Sequence, residues 1–164
     1  MQQGETDFLA ILHTLAEHRV EFIVVGGISA VLQGRPLATF DLDVVHSLSS
    51  QNIQQLLKAL DELGASYRTA GRPSLKPDAS HLASSVHQLL ITRFGPLDLL
   101  GSIGKGHGYD ELLTNSQFMQ VGPSLGVRVL DLPMVIQTKE ETAREKDTAV
   151  LAILRRTLQE KQRS

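Results

Sequence analysis

A length of 164 residues, 41% of them hydrophobic, suits one soluble domain with a substantial core, here expected over 1–164 with a sheet core at 20–130 and C-terminal helices at 131–162. Aromatic residues make up only 4% and tryptophan is absent, so that core has to be built from Leu, Val, Ile and Ala. The formal net charge of −2 provides no global basic field for nucleic acid, and the lack of any cysteine excludes disulfides, thiolate zinc sites and thiol nucleophiles. An N-terminus with acidic residues and no long apolar run shows no signal peptide, no stretch has the roughly 20 apolar residues of a membrane span, and a cytoplasmic location is the expectation.

In chain order, Phe8, Ile11, Leu12 and Leu15 recur at helical spacing and predict an amphipathic helix over 7–18, with Thr6 or Asp7 as its cap. His13 and His18 fall near its polar side. A short apolar strand over 20–25 then ends in Gly26-Gly27. Two missing Cβ atoms permit unusual backbone angles and let a ligand approach the main chain closely. Residues 28–33 fit a short helix whose free N–H groups would face this turn, a setting that favours anions, and Ser29 adds a hydroxyl there. A tight turn with Ser29 as an ordinary cap is the plainer alternative. After a loop at 34–38, a strand carries Asp41 and Asp43 with Leu42 and Val44 between and beyond them. Side chains at i and i+2 share a face, so the two carboxylates project together and the apolar pair faces a core. Adjacent carboxylates repel unless a cation sits between them, and a hard cation such as Mg²⁺ takes oxygen ligands from one or two carboxylates plus substrate phosphates. A solvated Asp-x-Asp edge is the competing reading.

Ile53, Leu56, Leu57, Leu60 and Leu63 mark a second amphipathic helix over 49–63 that stops at Gly64, and 65–69 fit a short strand. Residues 72–85, with two prolines and many small polar residues, read as a loop bearing Arg72, Lys76 and His81. Strands are expected at 87–93 and 97–100 around Phe94-Gly95-Pro96. The second holds Asp98 among Leu97, Leu99 and Leu100, where a lone carboxylate is costly without a partner. GSIGKGHG at 101–108 lacks the phosphate-loop spacing and reads as a loop in which Lys105 and His107 are available to substrate. A short helix at 109–113, strands at 118–121 and 127–130, and helices at 132–141 and 145–162 complete the chain. Asp131 caps the first of these two helices, with Pro133 in its first turn, and Lys139, Arg144 and Lys146 form a local basic cluster.

Taken in order, Gly26-Gly27-x-Ser29, Thr39-x-Asp41-Leu42-Asp43, Asp98 on a later strand, and Lys139-x4-Arg144-x-Lys146-Asp147 resemble the nucleotidyltransferase superfamily with the DNA polymerase beta type of palm, in its small prokaryotic minimal form. The resemblance runs from about Val20 to Leu154. It implies an α+β fold with a mixed sheet, helices packed on it and C-terminal helices. It also implies two Mg²⁺ ions (or Mn²⁺) on Asp41, Asp43 and Asp98. Asp98 would help deprotonate or orient an acceptor hydroxyl, and Gly26, Gly27, Ser29, Arg35, Lys139 and Lys146 would bind the nucleotide. One departure stands out: relatives often carry a basic residue two positions before the threonine, where this chain has Leu37, with Arg35 two residues earlier as a partial substitute.

The implied reaction moves a nucleoside monophosphate from a nucleoside triphosphate, ATP first among them, to a hydroxyl acceptor and releases pyrophosphate. A protein hydroxyl, an RNA end and a small molecule are all open as acceptors. The alternative is a catalytically weak or inactive protein of the same fold, acting as the antitoxin of a toxin–antitoxin pair or as a nucleotide-binding regulatory partner. A Ser-His-Asp hydrolase is unsupported because no Gly-x-Ser-x-Gly elbow is present, and a dinucleotide fold lacks its third glycine.

Overall fold

The computed structural model describes residues 7–26, 29, 42–68, 75–142 and 148–163. Their elements are α1 (Phe8–Glu17), β1 (Phe22–Val25), β2 (Leu42–His46), α2 (Ser50–Leu63), β3 (Ser66–Tyr67), α3 (Ala79–Leu82), β4 (Gln88–Thr92), β5 (Gly95–Leu100), α4 (Tyr109–Leu113), β6 (Ser116–Gly122), β7 (Leu125–Leu130), α5 (Leu132–Glu141) and α6 (Thr148–Arg163). The strands form one seven-stranded sheet in the order β3-β4-β5-β2-β1-β7-β6. Strand β1 runs antiparallel to β2 and parallel to β7, and β2 runs parallel to β5, so the sheet is mixed and the fold is α+β.

Local chemistry sets the helix ends. The Asp7 carboxylate accepts from Ala10 N at 3.0 Å, Ser49 Oγ from Asn52 N at 3.2 Å, and the Asp131 carboxylate from Met134 N at 3.0 Å, each satisfying a first-turn donor that the helix leaves open. Helix α2 ends at Gly64, whose φ of +64° is the left-handed turn glycine adopts without a Cβ penalty. The segment expected to be an irregular loop contains α3, started by a reciprocal capping box between Asp78 and His81.

Period-two alternation divides the core between the two faces of the sheet. Val24, Val44, Leu97 and Leu99 pack under Ile11, Leu15, Leu56 and Leu60 of α1 and α2. Ile23, Val25, Val45, Leu100 and Leu130 face the other way, against Leu112, Val135, Leu151 and Leu154 of α4, α5 and α6. In α6, Leu151 and Leu154 are buried, whereas Ile153 is 38% exposed and the buried position nearby is Thr157, whose hydroxyl donates to the Ile153 carbonyl. His46 is fully buried at the end of β2, where Nε2 donates to the Leu82 carbonyl at 2.7 Å; burial lowers its pKa and keeps the ring neutral.

No helix among the described residues is long and apolar enough to cross a membrane. Because Leu99 is fully buried in β5, Leu99→Ala is expected to cost about 2–5 kcal/mol in urea unfolding, through lost burial and a cavity.

Candidate active site

The parallel pairing of β2 with β5 sets Asp43 directly beside Asp98, with Val44 beside Leu99 and Val45 beside Leu100. Paired residues on neighbouring strands leave the sheet on the same face, one strand spacing of about 4.8 Å apart. Both carboxylates therefore stand on the α5–α6 side of the sheet, and Asp98 is only 8% exposed. Two negative groups this close repel each other. Arg68, just past β3, supplies a countercharge: its Nη2 lies 2.7 Å from Asp98 Oδ1, and its Nη1 donates to the Leu90 carbonyl at 2.9 Å. The guanidinium N–H does not point at Oδ1, so this buried oxygen has a cation beside it but no directed hydrogen bond among the described residues.

Gly26 ends β1 with a φ of +71°, and a Cβ there would sit 2.7 Å from Asp43 Oδ2. The bare Cα is what leaves room for that carboxylate. Ser29 is fully buried, and its hydroxyl donates to the Leu130 carbonyl at 2.8 Å, tying the segment after β1 to the end of β7. Gly26, Asp43 and Leu100 floor a cleft of about 410 Å³. His87, Ser102, Gly104, Thr138, Lys139 and Thr142 also line it. His87 Nε2 donates to the Ser102 carbonyl at 3.2 Å.

The loop over 101–108 is fastened to α5 by charge. His107 Nε2 meets Glu141 Oε1 at 2.7 Å, and its Nδ1 meets Glu111 of α4. Lys105 N donates to the same Glu141 oxygen at 3.0 Å, and Gln137 Nε2 donates to Oε2 at 3.1 Å. The Glu111 carboxylate, and then Glu141, raises the His107 pKa against the effect of partial burial. Hydrogen bonds from Gln137 and from the Lys105 main chain, followed by His107, lower that of Glu141.

Of the residues singled out from the sequence, Gly26, Asp43 and Lys139 line one cleft, and Asp98 stands beside Asp43. Asp41, Gly27, Arg35 and Lys146 lie outside the described residues, as do Arg144 and Leu37. Among the described residues no three His, Cys, Asp or Glu side chains cluster as a metal site. The two paired carboxylates nevertheless suit a hard divalent cation: they are oxygen donors on one face, one of their oxygens is buried without a directed hydrogen bond, and the glycine beside them keeps the approach open. Arg68, His87, Thr138 and Thr142 were not apparent as site residues in the sequence. A motif scan has no signal for them: strand pairing brings in Arg68 and His87, and the register of α5 sets Thr138 and Thr142 on the same side as Lys139.

No family model matches the chain, and none of the curated proteins matches it. Among solved structures it is similar to a crystal structure described as a "putative nucleotidyltransferase" from Thermotoga maritima, with a TM-score of 0.56, 17% sequence identity and 93% of each chain covered. The chain has a nucleotidyltransferase-type fold. At that identity the likeness speaks for the fold alone.

Two outcomes follow from the geometry. Gly26→Ala combines a left-handed φ with a contact on Asp43, and is expected to lower stability by about 1 kcal/mol or more in urea unfolding. Gly108→Ala, whose new Cβ would meet nothing closer than 3.8 Å, should stay near the parent. The cluster of Glu111, His107 and Glu141, with Gln137 and the Lys105 main chain, should stabilise fully between the ordinary values of 4.5 for Glu and 6.5 for His. Its histidine contribution fades as pH rises from 6.5 through the raised folded value, and its glutamate contribution as pH falls from 4.5 through the lowered one. Melting temperature against pH should therefore decline less on the alkaline side in His107→Gln than in the parent.

Proposed function

We propose that the chain is a metal-dependent nucleotidyltransferase that moves a nucleoside monophosphate from a nucleoside triphosphate to an acceptor hydroxyl. The observation that carries this reading is the pairing of Asp43 with Asp98 on neighbouring strands, with Asp43 next to the bare Gly26 in a cleft that Lys139 also lines. In the reaction the acceptor oxygen attacks the α-phosphorus, the bond from that phosphorus to the bridging oxygen breaks, and pyrophosphate leaves. A bound divalent cation, Mg²⁺ or Mn²⁺, would supply charge neutralisation at the phosphate oxygens. Asp43 and Asp98 would hold it with Asp41. Asp98 orients the acceptor hydroxyl and draws off its proton; its burial in the apolar run of β5 supports that role. Lys139, Arg35 and Lys146 offset the triphosphate charge, the Gly26-Gly27 turn admits the phosphates close to the main chain, and Ser29 braces that turn through Leu130. ATP is the first nucleotide to test; the acceptor is a protein hydroxyl, an RNA end or a small molecule.

A second reading takes the Arg68–Asp98 contact as its support: a cation of the protein's own already sits where catalysis needs an exogenous one. On that reading the chain binds nucleotide as a regulatory partner, or acts as an antitoxin, without turnover. Incubation with α-labelled and, separately, γ-labelled triphosphate in cell extract distinguishes the two. The parent should transfer the α-label but not the γ-label to an acceptor and release pyrophosphate. Asp43→Ala and Asp98→Ala should each reduce transfer at least about a hundredfold, and chelation by EDTA should abolish it until Mg²⁺ is restored. Equal transfer by parent and variants would overturn the assignment.

A further inference from the structure

Arg68 belongs to none of the pieces that identify the site, yet it makes the closest charged contact to Asp98 found among the described residues. Its geometry is unusual for a structural ion pair. Arginine normally meets a carboxylate as a fork, with two parallel N–H···O bonds. Here one nitrogen is spent on the Leu90 carbonyl, while the other lies 2.7 Å from Asp98 Oδ1 without aiming a hydrogen at it. The oxygen thus receives positive charge at short range but no directed bond, which is how a point cation would act on it. The arginine sits at the sheet edge, its main-chain N–H donating to the Leu89 carbonyl at 3.1 Å. It follows a strand of two residues at the edge of the sheet, and its side chain is 26% exposed against 12% for Asp98. The sheet beside it is uncovered, with Leu89 and Ile91 46% and 38% exposed on the face that Asp98 shares.

We propose that Arg68 is a resident competitor for the cation position on Asp98, a positioning residue that must leave this carboxylate before a divalent cation can take it. The inference rests on the nucleotidyltransferase reading of the site. A guanidinium 2.7 Å from Oδ1 repels a second cation brought to the same oxygen, so a free metal ion competes with it and binds weakly. A metal ion that arrives with a triphosphate brings negative charge to which Arg68 can transfer, so metal and nucleotide load together. The same contact offsets the repulsion between Asp43 and Asp98 while the site waits.

The test is Mn²⁺ affinity of the full chain without nucleotide, by titration calorimetry and by loss of the free-ion electron paramagnetic resonance signal. Arg68→Gln should bind Mn²⁺ about tenfold tighter than the parent or better, the expected direction for removing a like charge next to the ligand. Arg68→Lys, which keeps charge and stem but cannot reach both Leu90 and Asp98, should also bind tighter than the parent, by a smaller factor, and serves if the glutamine variant does not fold. Millimolar guanidinium ion should return the glutamine variant toward parent affinity. A merely structural strut would give unchanged or weaker binding in the variants, and that result, or no Mn²⁺ binding to any of the proteins, overturns the inference. If the variants match the parent while the parent still transfers α-label, only the role of Arg68 falls. If the variants bind tighter but the parent transfers no label, nucleotidyl transfer falls and the competitor role stands.

Discussion

Like charge held at one strand spacing is the constraint from which the rest of the molecule can be understood. The register of β2 on β5 leaves Asp43 and Asp98 no way to separate, because slipping the pairing by one residue would turn Val44 and Leu99 out of the core. The apolar residues on the opposite face therefore do more than fill space: they prevent two carboxylates from relaxing apart. The glycine at the end of β1, the arginine after β3 and the lysine of α5 come from three different parts of the chain, and each makes that forced proximity tolerable or useful.

The surroundings of the cleft show a division of labour between rigid and fastened parts. The carboxylates stand on strands whose neighbours are buried on both sides, as precise positioning demands. The cleft is also lined by a loop that owes its place to a histidine between two glutamates and to a main-chain amide on one of them. Gly104, with a φ of +59°, is needed there because a Cβ would strike Glu141 at 2.3 Å. Polar fastening of this kind holds the loop less firmly than an apolar core holds the strands that carry the carboxylates.

Much of this was legible from residue order. Period 3.6 in 8–15 and 53–63, capping aspartates at 7 and 131 and the stop at Gly64 located the helices, since those signals are local. The carboxylate pair could be anticipated from alternation and from the cost of an acid among leucines, although its register could not: pairing Asp43 with Asp98 depends on contacts across 55 positions of chain. Short-range pattern also missed one turn of helix, Ala79–Leu82, inside the loop expected over 72–85, where a capping box between Asp78 and His81 starts it. Arg68 and His87 stayed invisible for a related reason. Their roles arise from β3–β4–β5 pairing, and nothing in their immediate neighbours distinguishes them from surface residues.

The placement of β1 has a consequence for biosynthesis. This strand is buried on both faces and lies at the middle of the sheet, but one of its two edges is covered by β7, and the Ser29 bond that closes the same seam spans 101 residues. On a ribosome, the segment 22–25 must wait with an apolar edge unprotected until the chain has been made almost to α5. Contacts of such long sequence separation slow folding and lengthen the time available for mispairing. The nascent polypeptide is thus most vulnerable to aggregation during the synthesis of its middle third, well before the cleft exists.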